Sequence, residues 1–291
     1  MRIVTAYYKT NPLKIMMVVQ SDDFKNTIKE MHSNPPPYFY QSIENPLQIQ
    51  NSSIIDAING KFIKYTVMLP EQVAMLRNQY SYEDDIPYTK RVIYDLNMDL
   101  GKTPLSKCYI DTEAYNPNTR FTDFAVDEIK SISIITHDNR KFVIYNLKDL
   151  NAHSKTESHC INGNNATYIF AKTESELLDY FYNITQNESM LIGWNLRDFD
   201  YMFIKVRSIH NNKYAFNRYV WMDLMDLYKR FAANRSNAGL VTSYSLENVA
   251  QQELGIGKLD KSALFDGSML KEMEYNLRDS ELAKMIDEKT K

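Results

Sequence analysis

Two acidic residues stand one residue apart in a segment that otherwise reads as a β-strand, and together they could bind metal. Asp111 and Glu113 flank Thr112 within CYIDTEAY, residues 108–115. Side chains at positions i and i+2 share one face of a strand, so the two carboxylates lie side by side and repel each other. Divalent cations such as Mg²⁺ remove that penalty, and a pair of ions can support attack on a phosphodiester. On this stretch alone, a solvated strand end is the plainer interpretation.

Further acidic residues follow in two later segments. Asp198 and Asp200 come just after a predicted strand, in GWNLRDFDY. Tyr275 and Asp279 lie four residues apart in YNLRD, which places them on one face of a predicted helix. A tyrosine one turn from a carboxylate can orient a water molecule through its hydroxyl. Taken singly, each has an ordinary explanation, since Asp198 could cap a helix and Tyr275 could be part of the core.

The elements that must position these residues form an α/β pattern after residue 104. Strands come first, including a hairpin around HDNR, and they then alternate with helices, which indicates a sheet with helices packed on it. The strands are expected within 106–115, 127–147, 166–172 and 189–195. The helices are expected within 173–186, 197–210, 243–254 and 267–288, the third ending at Gly255.

The first hundred residues read as a separate unit. Strands are expected at 14–20 and 61–69, and a helix with proline at its start at 70–80. GKTP, residues 101–104, is a plausible seam. We therefore expect a smaller mixed α+β domain at 1–103 and a larger α/β domain at 104–291.

Composition excludes several classes of protein. At 44% hydrophobic and 24% charged residues the chain is typical of globular proteins. Two cysteines suggest no disulfide framework and favour a reducing cytoplasm, and no apolar run is long enough to cross a bilayer. The net charge of -3 argues weakly against a surface coated with phosphate-binding lysines. It does not exclude a nucleic-acid enzyme whose site is held by metal ions.

Three acidic motifs occur in an order that resembles the exonuclease motifs of B-family DNA polymerases. They are Asp-x-Glu at 111–113, Asn-x-x-x-Phe-Asp at 195–200 and Tyr-x-x-x-Asp at 275–279. The connecting stretches LIGWN, WMDLMDLYKR and SYSLENVAQQELGIGK are similar to the same domain. PYFY (37–40) and YEDDIPYTKRVIYDLNMDLG (82–101) resemble the polymerase N-terminal domain, most of all in archaeal members. The resemblance covers nearly the whole chain.

The resemblance implies an RNase H-like fold, with a mixed central sheet flanked by helices, and 3′→5′ exonucleolytic proofreading on DNA. By motif position, two Mg²⁺ or Mn²⁺ ions would be held by Asp111, Glu113, Asp200 and Asp279. Tyr275 would orient the attacking water. Asn195 and Phe199 would line the path of a frayed single-stranded 3′ end, with Thr112 as a further substrate contact. Asp200 rather than Asp198 is the expected ligand because it follows Phe199.

The polymerase motifs of the same family are not found, so we expect no nucleotide polymerisation by this chain alone. The sequence leaves open whether it is an excised piece of a longer enzyme, one part of a split polymerase or a free-standing nuclease. The partner could therefore be the polymerase portion of the same enzyme or a separate polymerase subunit. No membrane partner is expected.

Two other functions stay open. Archaeal relatives sense uracil in the template strand through the N-terminal domain, and the matching positions here are Pro37, Tyr38, Ile86, Pro87 and Tyr88. A pocket between proline and tyrosine would suit a flipped pyrimidine, although ordinary domain core explains these residues as well. The chain would then be a binding module with weak nuclease activity. A nuclease fold retained only for assembly is the third possibility. Against it, all four expected metal-ligand positions of the motifs are occupied by acidic residues.

Positive charge near the motifs gives no clear prediction. Several cations could reach phosphate groups, but for most of them a solvated helix face is the plainer interpretation. They are Lys205, Arg207, Lys229, Arg230 and Lys258.

Overall fold

The computed structural model describes residues 2–10, 13–31, 35–57, 60–98, 104–116, 121–148, 159–163, 165–234, 243–260 and 268–290. Two compact units are present, one of Met1–Val19 with Thr27–Thr103 and one of Gln20–Asn26 with Pro104–Lys291. Most of the seam expected at 101–104, and the first residue of the helix expected at 267–288, lie outside the described residues.

The first unit contains two sheets and two helices. The three-stranded sheet has the order β1 (Arg2–Thr10), β2 (Leu13–Gln20), β3 (Asn26–Glu30). The four-stranded sheet has the order β5 (Ser52–Ala57), β6 (Gly60–Thr66), β4 (Tyr38–Ser42), β7 (Ser81–Tyr82), with antiparallel pairing throughout. The helices are α1 (Pro70–Leu76) and α2 (Tyr88–Asp95).

Each helix of the first unit is associated with one apolar cluster. Tyr88 and Val92 of α2 pack with Ile15 of β2. Val73 of α1 packs against Phe39 and the other buried side chains of the four-stranded sheet. The helix expected at 70–80 ends at Leu76, because the next residue already has an extended backbone.

The second unit is built on a seven-stranded mixed sheet. Its strand order is β11 (His159–Asn162), β12 (Thr167–Ala171), β10 (Lys141–Asn146), β9 (Ile129–Ile135), β8 (Lys107–Ala114), β13 (Met190–Gly193), β14 (Val220–Asp223). Strands β8, β9 and β10 are antiparallel neighbours, so the hairpin expected around HDNR is confirmed. Strand β13 runs parallel to both β8 and β14.

Helices cover both faces of this sheet, as the sequence pattern predicts. They are α3 (Glu174–Ile184), α4 (Asp200–His210), α5 (Leu224–Asn234), α6 (Leu246–Leu254) and α7 (Met269–Lys289), with a 3₁₀ turn at Ala215–Arg218. Side chains of α3 and α4 share one core with alternate residues of β8 and β9. Side chains of α5, α6 and α7 share the other core with Tyr109 and Ile135. The fold is therefore α/β, with a mixed sheet between two helical layers.

Two predicted helix boundaries in the second unit have visible physical causes. The side chain of Thr173 accepts a hydrogen bond from the Glu176 amide at 3.2 Å and caps the start of α3. Helix α6 ends at Gly255, whose φ of 71° lies in the left-handed region that glycine tolerates best. No helix among the described residues is long and apolar enough to cross a membrane.

A buried ion pair joins α3 to α4. Arg207 donates to both carboxylate oxygens of Glu174, at 2.7–3.1 Å, and the two side chains are 3% and 5% exposed. Glu174 also accepts from the amide of Ile129, and Arg207 donates to the carbonyl oxygen of Ala125. Arg207 is therefore part of the framework, and the expectation of a solvated helix face was wrong for this residue.

Replacing Arg207 by methionine should lower the free energy of unfolding of the second unit by roughly 3 kcal/mol, because Glu174 would be left buried without its counter-charge. Urea denaturation followed by tryptophan fluorescence measures this, since Trp194 and Trp221 both lie in that unit.

Arg140→Met is the matched control for that measurement. Arg140 pairs with Asp138, but the two side chains are 61% and 44% exposed, so the loss should stay under about 1 kcal/mol. Equal losses in the two variants would contradict the proposed role of the buried pair.

Candidate active site

Three carboxylates meet between β8 and α7. Asp111 and Glu113 point from the same face of β8, as their spacing predicts, and Asp279 comes from α7. Each can offer one oxygen such that the three oxygens lie within 4.8 Å of one another. Asp279 is 4% exposed, whereas Asp111 and Glu113 are half-buried. Carboxylate oxygens at this spacing can hold a divalent metal ion.

Two serines of β9 hold α7 close to these acids. Ser133 lies opposite Asp111 and Ser131 lies opposite Glu113 in the strand register. The Ser131 hydroxyl donates to Oδ1 of Asn276 at 3.2 Å. The Ser133 hydroxyl donates to the backbone carbonyl oxygen of Asn276 at 3.0 Å. Asn276 in turn donates from Nδ2 to Oδ2 of Asp111 at 2.7 Å. The small polar side chains on β9 thus fix the helix that delivers the third acid.

Asp200 reaches the site from α4, on the other side of the sheet. Its Oδ1 accepts hydrogen bonds from the amide of Thr112 at 2.8 Å and from the hydroxyl of Thr112 at 2.7 Å. Thr112 is 4% exposed and its hydroxyl is engaged by this carboxylate. Its side chain therefore positions Asp200, and a contact of Thr112 with a substrate remains a proposal.

The segment between β13 and α4 separates the two aspartates of the second motif. Asp200 is 2% exposed and Asp198 is exposed, and the choice of Asp200 as the candidate ligand stays a prediction. Asn195 has a left-handed backbone with φ of 59°, a conformation that asparagine tolerates. The half-buried ring of Phe199 packs edge-on against Phe124, with centroids 5.6 Å apart. A contact of Asn195 or Phe199 with a substrate strand remains a proposal.

Crowding and burial disfavour the charged forms of all four acids. Burial, and then the charges of Asp200, Asp279 and Glu113, raise the pKa of Asp111 well above its ordinary value. Burial is also the first cause for Glu113 and Asp200, and it raises the pKa of each to about 7. Burial raises the pKa of Asp279 as well, although Lys258 opposes it. A bound cation would reverse this penalty.

Lys258 and Tyr275 complete the surroundings of Asp279. The ammonium group of Lys258 forms an ion pair with Oδ2 of Asp279 and lies 5.8 Å from the centre of the Tyr275 ring. Oδ1 of Asp279 is buried and has no hydrogen-bond partner among the described residues. Burial raises the pKa of Tyr275, so its hydroxyl stays protonated at neutral pH.

Sequence reasoning missed several residues of this site. For Lys258 the sequence left a phosphate contact and a solvated position open, and the motifs single out neither Asn276 nor the serines of β9. A signal for the serines exists, because Ser-Ile-Ser in β9 repeats the alternation of Asp-Thr-Glu in β8. Asn276 stands next to Tyr275 in the third motif. The position of Lys258 had no local signal.

The five residues of the proposed uracil pocket line a single cavity in the first unit. Its volume is about 390 Å³. The Tyr88 hydroxyl donates to the carbonyl oxygen of Pro35, and the Tyr38 hydroxyl donates to Asp95 at 2.6 Å. The guanidinium carbon of Arg91 lies 4.3 Å from the centre of the Tyr38 ring. The two aromatic walls are therefore held in place by hydrogen bonds.

Comparison with known proteins relates both units to DNA polymerases. DNA polymerase 1 of Sulfurisphaera ohwakuensis is 26% identical over an alignment 306 positions long, which covers 94% of this chain and 34% of that protein. DNA polymerase 1 of Saccharolobus solfataricus is 26% identical over 219 residues, covering 69% of this chain and 23% of that protein. The chain thus spans about a third or less of the length of these relatives.

A family model matches part of the second unit. Residues 161–272 match RNase_H_2, a family of the RNase_H superfamily. The matched range contains Asp200 and Lys258 and ends just before Tyr275. Together with the two relatives, this match supports a nuclease role. The chain therefore carries an RNase H-like domain and is similar to the amino-terminal portion of archaeal DNA polymerases.

Proposed function

We propose that the chain is a metal-dependent 3′→5′ exonuclease that removes nucleotides from single-stranded or frayed DNA 3′ ends. The observation that supports this most directly is the convergence of Asp111, Glu113 and Asp279, with Asp200 fixed beside them through Thr112. The direction of cleavage and the DNA substrate are carried over from the three ordered motifs.

The donor set fits divalent metal ions. The candidate ligands of the cluster are carboxylate oxygens, which Mg²⁺ and Mn²⁺ prefer, and Oδ1 of Asp279 is buried without a hydrogen-bond partner among the described residues. Following the motif match, we propose two ions, held by the four acids. Bound there, they would activate the attacking water and stabilise the leaving 3′-oxygen.

Residues of the chain position the reacting groups. Asn276 and Thr112 each fix one oxygen of a carboxylate, so Asp111 and Asp200 cannot turn away from the cluster. The protonated hydroxyl of Tyr275 is suited to orient the attacking water rather than to act as a base. A mismatched 3′ end costs less unstacking energy than a paired one, so a single-strand site would favour mismatched ends.

The partner of such a nuclease is part of the same proposal. Both relatives are named DNA polymerases, and this chain aligns with 34% or less of their length. We propose that the nuclease serves a polymerase portion, either of the same enzyme or in a separate subunit. We expect no primer extension by this chain alone.

Asp111→Ala and Asp279→Asn should each lower the rate of nucleotide removal by about a hundredfold or more, because each removes a carboxylate of the cluster. The assay follows a 5′-labelled DNA single strand with Mg²⁺ or Mn²⁺ on a sequencing gel, where 3′→5′ removal gives a ladder of shortened labelled products.

The control for this assay is Asp198→Ala, which changes an exposed acid two residues from Asp200 and should retain the parent rate. Release of the 5′ label as a mononucleotide would contradict the direction. Equal inertness of the parent and all variants would contradict the nuclease assignment.

Glu113→Gln should raise the stability of the metal-free protein at pH 8 and abolish its stabilisation by Mn²⁺. The folded-state pKa of Glu113 is about 7, above its ordinary value, so its stabilising contribution is present at low pH and is lost as pH rises toward 7. Removing the charge should raise the free energy of unfolding at pH 8 by about 1 kcal/mol or more, since one pKa unit corresponds to about 1.4 kcal/mol.

Thermal unfolding with EDTA and with Mn²⁺ measures both effects. At pH 4 the variant and the parent should have similar stability, because Glu113 is then largely protonated in both states. If the metal-free variant is less stable than the metal-free parent at pH 8, charge repulsion does not determine the contribution of Glu113 to stability.

A second function, sensing of template uracil, is favoured by the cavity of the first unit. Pro37, Tyr38, Ile86, Pro87 and Tyr88 all line it. A flipped pyrimidine could enter between the apolar and aromatic walls, and this site would act separately from the carboxylate cluster.

Binding of single-stranded DNA containing uracil should be tighter than binding of the same strand containing thymine, as measured by fluorescence anisotropy in EDTA. Ile86→Ala should reduce this preference, since Ile86 lines the cavity. Ile54→Ala changes an exposed isoleucine outside the cavity lining and should keep the preference. Equal affinities of the parent for the uracil-containing and thymine-containing strands would contradict this proposed function.

A further inference from the structure

Lys258 brings a positive charge into the acid cluster from a loop. Its ammonium group pairs with Oδ2 of Asp279, and the two side chains are 26% and 5% exposed. The positive charge of Lys258 also lowers the pKa of Asp111 and of Glu113. The ion pair is thus partly desolvated and close to three carboxylates.

The backbone of this loop is anchored to the helices on both sides. Oε2 of Glu247 in α6 accepts from the amide of Lys258 at 2.6 Å. Nε of Arg278 in α7 donates to the carbonyl oxygen of Gly257 at 3.2 Å. Helix α6 ends just before, at the left-handed Gly255. The loop therefore holds Lys258 at a fixed distance from Asp279, and only the flexible side chain is left to move.

Lys258 stays cationic in this environment. Burial alone would lower its pKa, but the ion pair with Asp279 outweighs burial and raises it. On the described part of the chain, the other lysine that lowers the pKa of Glu113 is Lys130, which forms an ion pair with Glu272 at 2.9 Å. Lys258 is the cation whose ammonium group contacts Asp279.

We propose that Lys258 is a tethered counter-cation that competes with the divalent metal ion for Asp279. This inference rests on the proposed metal-dependent function. A metal ion bound to the three clustered acids needs Asp279, and a lysine ammonium in the same place would repel it. Lys258 therefore has to withdraw before the ion is fully bound, which lowers metal affinity and stabilises the protein while the metal is absent.

Lys258→Met tests this, because methionine keeps much of the apolar stem and removes the charge. Its dissociation constant for Mn²⁺, measured by isothermal titration without DNA, should be roughly tenfold lower than that of the parent, since a charge-assisted hydrogen bond no longer has to be broken. Lys258→Arg keeps the charge and should stay close to the parent.

Lys107→Met is the matched control. Lys107 pairs with Asp287 at 2.7 Å in the same unit, and the two side chains are 35% and 12% exposed. This variant loses a comparable ion pair away from the cluster, so its Mn²⁺ affinity should equal that of the parent.

A second readout needs no metal at all. In EDTA, Lys258→Met should lower the melting temperature, because three crowded acids lose their counter-charge. In a protein that already carries Asp279→Asn, the Lys258→Met change should lower the melting temperature by less, since the partner charge is already removed. Equal losses in the two backgrounds would overturn the inference.

The outcomes separate this inference from the proposed function. Equal or weaker Mn²⁺ binding by Lys258→Met than by the parent would overturn the competition and leave the metal site standing. Absence of Mn²⁺ binding in both proteins would overturn the metal site, and with it the competition. Tighter binding by Lys258→Met, with Lys107→Met unchanged, would support both.

Discussion

Three acidic side chains converge in the second unit and a fourth, Asp200, is held beside them through Thr112, so the repulsion between these charges is the constraint to which the surrounding structure is fitted. Two unit charges 4 Å apart repel by about 4 kcal/mol at an effective dielectric constant of 20. Each of three acids has a partner that holds it against this repulsion: Asn276 for Asp111, Thr112 for Asp200 and Lys258 for Asp279. Burial, and then the charge of Asp279, raise the pKa of Glu113 to about 7.

The sheet supplies the rigidity that these contacts need. Strand β8 lies inside the sheet, between β9 and β13, so its backbone is held on both edges. Gly193 ends β13 where an added Cβ would stand 2.9 Å from the carbonyl oxygen of Ile110, which requires glycine at this close approach. A register shift between Glu113 and Ala114 ends the regular pairing of β8 beside the acids, as bulges near functional sites often do.

Much of this arrangement could be predicted from local patterns, and the remainder depends on tertiary packing. The i, i+2 spacing of Asp111 and Glu113 is enough to place both on one face, and alternation is enough to predict the hairpin of β9 and β10. The role of Arg207 could not be predicted, because a charged residue on an amphipathic helix is usually solvated and its partner lies on another helix. The contact of Lys258 with Asp279 joins a loop residue to a helix 21 positions later in the chain, which no short-range pattern encodes.

The acids of the cluster come from distant parts of the chain, and this has a consequence for folding. Strand β8 supplies two of them and α7 carries the third, while α4 begins with Asp200, which Thr112 holds beside the cluster. Contacts of such large sequence separation form only after loop-closure entropy has been overcome, so they belong to the late stages of folding. A partly folded or truncated chain that lacks α7 cannot assemble the cluster. The topology thus makes any chemistry of the complete cluster conditional on a finished domain.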